Sequence, residues 1–128
     1  MPAKLLIIDD EILFTTMLQE KLPQGLFEVF VTHSGAAGIE AARQLQPDVI
    51  MLDLMMPGLS GWETCRAIRA FSQAPILIVS AVIDSNGVMQ ALEAGADEYL
   101  LKPAPMGVLV SQLKSLIQST TPHTDEVT

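Results

Sequence analysis

A chain of 128 residues, 49% of them hydrophobic, is the size of one globular domain and leaves no room for a second core. Seven basic against fifteen acidic residues set the net charge at −8, which disfavours direct contact with nucleic acid or with an anionic membrane surface. The one cysteine, Cys65, excludes an intramolecular disulfide and points to a reducing, cytoplasmic setting.

The first apolar run, Lys4 to Asp9, holds Leu5-Leu6-Ile7-Ile8 without alternation, as a strand covered on both faces should. Asp9, Asp10 and Glu11 cut it too short for a signal-peptide core or a membrane span, so a soluble chain is expected. Phe14, Leu18 and Leu22 then recur at helical spacing until Pro23 and Gly25. Phe27 to Thr32 is a second strand whose apolar run is broken by Glu28, and the helix after it should stop at Pro47. Asp48 to Asp53 is a third strand, and Trp62, Cys65 and Ile68 mark a helix that ends before Pro75.

Pro75 to Ser80 is a fourth strand, followed by a helix closed at Gly95, and Asp97 to Lys102 is a short fifth. Leu109, Leu113, Leu116 and Ile117 stripe the last helix. Five βα units in succession predict a doubly wound α/β domain over 3–119 with a parallel five-stranded sheet flanked by five helices. The first, third and fourth strands belong in its middle and the other two at its edges. The segment 120–128 is polar, contains Pro122, and reads as a frayed tail or the stub of a linker.

In an open parallel sheet the carboxyl ends of the strands share one rim, and ligands collect where the strand order reverses. Here those ends carry Asp9-Asp10, Thr32-His33, Asp53, Ser80 and Lys102. Two carboxylates about 4 Å apart repel by roughly 4 kcal/mol at an effective dielectric near 20, so the acids must bind protons or a cation. Magnesium suits them: it takes oxygen ligands, keeps waters and completes its shell with phosphate oxygens. An aspartate carboxylate can attack phosphorus to form an aspartyl phosphate, and the transfer needs mainly positioning and charge neutralisation. Asp53 is the candidate nucleophile, with Lys102 as a compact positive charge and Ser80 as a hydroxyl donor.

Between about Lys4 and Gln118 the sequence resembles the response-regulator receiver family of two-component signalling. The matching pieces are Ile8-Asp9-Asp10-Glu11, Asp53 through Pro57-Gly58 to Gly61, Val79-Ser80-Ala81, Gly95-Ala96-Asp97-Glu98-Tyr99 and Lys102-Pro103. The resemblance implies a flavodoxin-like sheet in the order 2-1-3-4-5, and a phosphoacceptor, Asp53, that is loaded by a histidine kinase or histidine phosphotransfer protein. It also implies Mg²⁺ held directly by Asp10 and Asp53, through water by Asp9, and by the backbone carbonyl of Met55. It implies a cis Lys102–Pro103 peptide and a switch in which Ser80 moves towards the phosphoryl group. Tyr99 would then turn inward, changing the surface of helix 4, strand 5 and helix 5 that a downstream protein or tethered output domain reads. Such a protein is a switch that assists its own phosphorylation and dephosphorylation, not an enzyme with turnover.

The blander readings concern single residues. Asp-Asp-Glu after a strand is most often a helix N-cap, and Tyr99 most often a half-buried core residue. His33 and His123 lack partners at ligand spacing, Trp62 reads as a partly exposed helix residue, and Glu40, Arg43, Arg66 and Arg69 read as solvated faces. Arg66 and Arg69 are also candidates for a partner surface. Ala104-Pro105 follows Lys102-Pro103, and Gln112, Gln118 and Ser119 stand in the last helix where winged-helix regulators that dimerise carry arginines. That dimer is therefore not expected, and no other oligomeric state is assigned. A haloacid-dehalogenase-like phosphatase would instead use Asp9 as its nucleophile and leave Asp53 unexplained. A flavodoxin-type FMN carrier would need a Ser/Thr/Gly-rich loop where the acids stand. A receiver-like module that only binds partners would lack one of the acids or the lysine.

Overall fold

The structure, a computed structural model, describes residues 1–82 and 84–119; the expected tail at 120–128, with Pro122 and His123, lies outside the described residues. The elements run β1 (Ala3–Ile8), α1 (Ile12–Lys21), β2 (Phe27–Thr32), α2 (Gly35–Leu45), β3 (Val49–Leu52), α3 (Gly61–Arg69), β4 (Ile76–Ser80), α4 (Ser85–Glu93), β5 (Glu98–Leu101) and α5 (Met106–Ser119). All strand pairs are parallel and the sheet order is β2-β1-β3-β4-β5. The expected order and the expected centre and edges of the sheet are those observed. β3 and β4 are buried throughout and β1 over its last four residues, whereas β2 and β5 are half exposed.

Successive side chains of a strand point to opposite faces, so the apolar runs supply two cores. Leu6, Ile8, Ile50, Leu52, Ile76 and Ile78 pack under α2, α3 and α4; Leu5, Ile7, Val49, Met51, Leu77 and Val79 pack under α1 and α5. The helices grip these faces unequally. α5 buries Leu109, Leu113 and Leu116, whereas α4 buries only Gly87 and Ala91. Cys65 lies wholly inside, where burial pushes its thiol up to about 11 and leaves it inert.

The loop after β3 folds tightly back to α3. Pro57-Gly58 makes its turn with Gly58 at a φ of +78°, which glycine adopts without strain. Ser60 and Glu63 then start α3 with a reciprocal capping box. At Gly61 the backbone rests directly on the end of β3: a Cβ there would stand 2.2 Å from the Asp53 carbonyl oxygen and 2.5 Å from Leu54 Cα. Neither atom can yield without moving the strand. Gly61→Ala is therefore expected to cost about 3 kcal/mol, the upper end for overpacking. Gly25→Ala, with nothing within 4 Å of the added carbon, should leave stability within about 0.5 kcal/mol. Urea unfolding of both variants checks the contrast.

Candidate functional site

The strand order reverses between β1 and β3, so the residues that follow these two strands face one crevice. Two backbone bonds extend the pairing past the strands and fix the acids: Asp53 N–H donates to Ile8 O at 3.0 Å, and Asp9 N–H to Thr32 O at 3.1 Å. Asp9 and Asp53 are buried and Asp10 is half-buried. Each of the three offers a carboxylate oxygen, and these oxygens lie within 4.8 Å of one another. The capping reading of Asp-Asp-Glu does not hold for the side chains: Glu11 is the N-cap of α1 but makes no side-chain cap bond. Asp9 Oδ1 instead accepts the Glu11 N–H at 2.9 Å.

Opposite the acids stands Lys102, carried in after β5 by a backbone bond from its N–H to Ser80 O at 2.9 Å. Its ammonium bonds Asp9 Oδ2 at 2.9 Å and Glu11, and lies 3.5 Å from Asp53 Oδ2. The Phe14 ring of α1 supports it from one side, 4.5 Å from nitrogen to centroid. Glu11 and Phe14 are thus partners of the lysine that the sequence reading had not assigned. A lysine and an acid ninety residues apart carry no spacing signal; only the folded rim brings them together.

Burial disfavours the charged form of Lys102, but the bonds it donates to Glu11 and Asp9 outweigh this and hold the ammonium above its ordinary value. Burial likewise raises Asp9, and the Asp53 charge adds to this, against the Lys102 and Glu11 bonds that lower it. Because the folded-state value of Asp9 is the higher one, ionising it costs the fold stability as pH rises through the carboxylate range. The donor set is all oxygen and partly solvated, with one positive charge shared among several negative ones. It fits a hard divalent cation such as Mg²⁺ better than a soft one. The Met55 side chain is exposed, and its backbone N–H donates to Asp53 Oδ1 at 3.4 Å. An open cleft of about 710 Å³ leads from Asp10, Asp53 and Lys102 to Leu13, Phe14 and Ala104.

Ser80, wholly buried, accepts the Val82 N–H on its Oγ at 3.5 Å. Tyr99 is half-buried against the core beneath α4, and its hydroxyl donates to the Val82 carbonyl. Burial raises its phenol, with the Ser80 hydroxyl acting in the other direction. Tyr99 thus packs inward. The Lys102–Pro103 peptide is cis. His33 is exposed, its ring nitrogen 3.3 Å from Thr15 Oγ1, and lies apart from the acidic group.

One reading of the arginines is corrected. Arg69 is not on a solvated face: it donates to Gly95 O at 2.9 Å, Ser72 O at 3.2 Å, Ala74 O at 2.6 Å and Asp97 Oδ2 at 2.8 Å. Asp97 Oδ2 also accepts the Ile76 N–H at 2.8 Å. This hub ties the amino-terminal ends of β4 and β5 to α3, at the edge of the sheet away from the acids.

A parallel doubly wound sheet with crowded acids at its switch point and a lysine from the last strand defines a class of phosphate-handling α/β proteins. Comparison with known proteins narrows the class. The family model described as "Response regulator receiver domain" matches residues 5–114. The DNA-binding response regulator MtrA of Mycobacterium tuberculosis is 36% identical over 118 residues, which is 92% of this chain and 52% of that protein. The Francisella response regulator 1452 receiver domain superposes with a TM-score of 0.86 at 26% identity, covering 93% of this chain and 99% of that one. For the BeF3-activated N-terminal receiver domain of Klebsiella pneumoniae RstA the TM-score is 0.84 at 29% identity, with 90% and 98% covered.

The chain belongs to the response regulator receiver domain family of two-component signalling. It is a signalling switch, and the phosphatase reading finds no support. The chain spans about half the length of the curated relatives it matches. Among the described residues, no helix is long and apolar enough to cross a membrane.

The crowding of charge has a measurable consequence. Without divalent cations, Asp53→Asn is expected to be more stable than the wild type by about 1–2 kcal/mol, the Coulomb repulsion discounted for the share that Lys102 neutralises. Excess magnesium chloride should stabilise the wild type and leave the variant nearly unchanged. Thermal unfolding of both proteins with and without the salt checks both signs.

Proposed function

We propose that Asp53 accepts a phosphoryl group from the phosphohistidine of a histidine kinase or histidine phosphotransfer protein. The observation that carries this reading is the meeting, at the β1/β3 switch point, of three carboxylates with a lysine bonded to one of them and 3.5 Å from Asp53. One Asp53 oxygen attacks phosphorus in line, the P–N bond to the imidazole breaks, and the donor's ring nitrogen leaves with the electron pair. Lys102 neutralises charge on the transferred group, and Ser80 supplies a hydroxyl hydrogen bond to one of its oxygens. Asp10, Asp53 and the Met55 carbonyl would hold Mg²⁺, with Asp9 acting through water. When bound, the ion supplies charge neutralisation for the phosphoryl oxygens.

The unit that carries the site is proposed to be 3–119, with 120–128 as tail or linker. Ser80 and Tyr99 are proposed as the switch residues, communicating phosphorylation to the surface of α4, β5 and α5. The reader of that surface is a downstream protein or a tethered output domain. The relatives are DNA-binding regulators, so a DNA-binding output is proposed for the signalling route. The domain's own charge of −8 argues against contact between the domain and nucleic acid. A cytoplasmic location is proposed from the family and the single cysteine.

The test is incubation with acetyl phosphate and Mg²⁺ followed by intact-mass measurement. The wild type should gain one phosphoryl mass and Asp53→Asn none; equal gain in both would overturn the assignment. A second expectation concerns lifetime. Met55 and Val82, two residues beyond Asp53 and Ser80, have no carboxylate or amide with which to orient an attacking water. Spontaneous hydrolysis should therefore be slow, with the acyl phosphate decaying over many minutes in buffer. Loss within seconds, read by the same mass measurement, would show that another group directs the water.

A further inference from the structure

A lysine ammonium donates three hydrogens and accepts none, so what it bonds to decides what it can still reach. Lys102 gives one to Asp9 Oδ2 at 2.9 Å and another to Glu11, while Asp53 Oδ2 stands farther off at 3.5 Å. The Phe14 ring closes a further side, with its centroid 4.5 Å from the nitrogen. Glu11 and Phe14 are three residues apart, so the first turn of α1 supplies both from one face.

The two carboxylates that hold the ammonium are not alike. The Asp9 side chain is 3% exposed and that of Glu11 58%. Taking the lysine from Asp9 would strand a buried charge, which is strongly unfavourable. Glu11, on letting go, meets water, and an exposed ion pair contributes little. The backbone nonetheless fixes Glu11 in place, because its N–H donates to Asp9 Oδ1 at 2.9 Å. Its side chain has no duty to its own helix: Glu11 is the N-cap of α1 and makes no side-chain cap bond.

We infer that Glu11 is a positioning residue that holds Lys102 back from Asp53 and yields it when a phosphoryl group arrives there. This rests on the reading of Asp53 as the phosphoacceptor. Lys102 keeps its bond to Asp9 and exchanges Glu11 for a phosphoryl oxygen: one hydrogen bond breaks, one forms, and no proton changes owner. The released Glu11 carboxylate turns to water at the cleft it already lines with Asp10, Leu13 and Phe14. Breaking the hold is part of the barrier to uptake, so Glu11 slows the loading of Asp53.

Two variants of the full chain test it. Glu11→Ala removes the carboxylate. Glu11→Asp keeps the charge, but a short acid at an N-cap turns to the amides of its own helix and no longer reaches the lysine. Uptake from subsaturating acetyl phosphate with Mg²⁺, timed by intact mass, should be about two- to fivefold faster than wild type in both, the factor an exposed ion pair is worth. A rise confined to Glu11→Ala would mean that the charge merely repels the anionic donor, and overturns the inference, as does no rise in either. The Lys102 ammonium hydrogens, read by ¹H–¹⁵N NMR without phosphodonor, should exchange with water faster in both variants. Unchanged exchange with normal wild-type uptake sinks this inference alone. No wild-type uptake with the exchange changed sinks the phosphoacceptor reading and leaves the hold on Lys102 standing.

Discussion

One ammonium shared among three carboxylates is the constraint on which the rim of this domain depends. Lys102 has Asp9, Glu11 and Asp53 within 4 Å, and the site remains net negative after the lysine is counted. A buried pair of opposite charges does little more than repay its own desolvation. A buried cluster with two positive charges too few works against stability, and burial together with the Asp53 charge raises Asp9. The fold tolerates it because the sheet beneath is saturated with apolar contact, from wholly buried Leu5, Leu6, Ile7 and Ile8 in β1 to Ile76, Leu77 and Ile78 in β4. The rim is a local cost met by the core, and its unsatisfied negative charge is what a divalent cation can use.

The same economy separates rigid parts from movable ones. Strands and α5 are held by leucine and isoleucine, and the amino-terminal edge of β4 and β5 is locked by the Arg69–Asp97 hub. α4 covers its side of the sheet with Gly87 and Ala91, as α2 does with Gly35, Gly38 and Ala42, so hydrogen bonds such as that from the Trp62 indole to Gly87 O hold it beside little apolar burial. Bonds of that kind rearrange at lower cost than a packed side chain, which must leave a cavity behind. α4 is thus anchored less by buried side chains than α5 is.

How much of this was legible in the sequence varies residue by residue. β1, β3 and β4 stood out because both of their faces are covered, so their apolar runs are unbroken, and Glu28 marked β2 as an edge. The acids could be assembled from the rule that strand ends share a rim, since Asp9, Asp10 and Asp53 each follow a strand directly. Arg69 could not be read this way. Its partners are backbone carbonyls at Ser72, Ala74 and Gly95, and a carbonyl has no letter in the sequence. The Trp62 bond to Gly87 was hidden for the same reason, whereas the end of α2 was marked by Pro47 and only the left-handed φ of 49° at Gln46 before it was not. Glu11 was visible as part of a motif, yet its bond to Lys102 crosses the whole domain.

The inward Tyr99 shows what the remaining ambiguity is made of. The family resemblance describes a tyrosine that moves between two packings, and the sequence alone does not say which of them the chain adopts. In this structure its hydroxyl is satisfied by the Val82 carbonyl, and its ring lies against the core below α4. An outward tyrosine would give up that bond and uncover apolar surface. Val82, two residues past Ser80, would then regain a free carbonyl at the entrance to α4. Under the proposed switch, a phosphoryl group at Asp53 would act on a balance that includes this hydrogen bond and the burial of this ring. Differential contact with the two packings, and not the strength of binding as such, decides how far it tips.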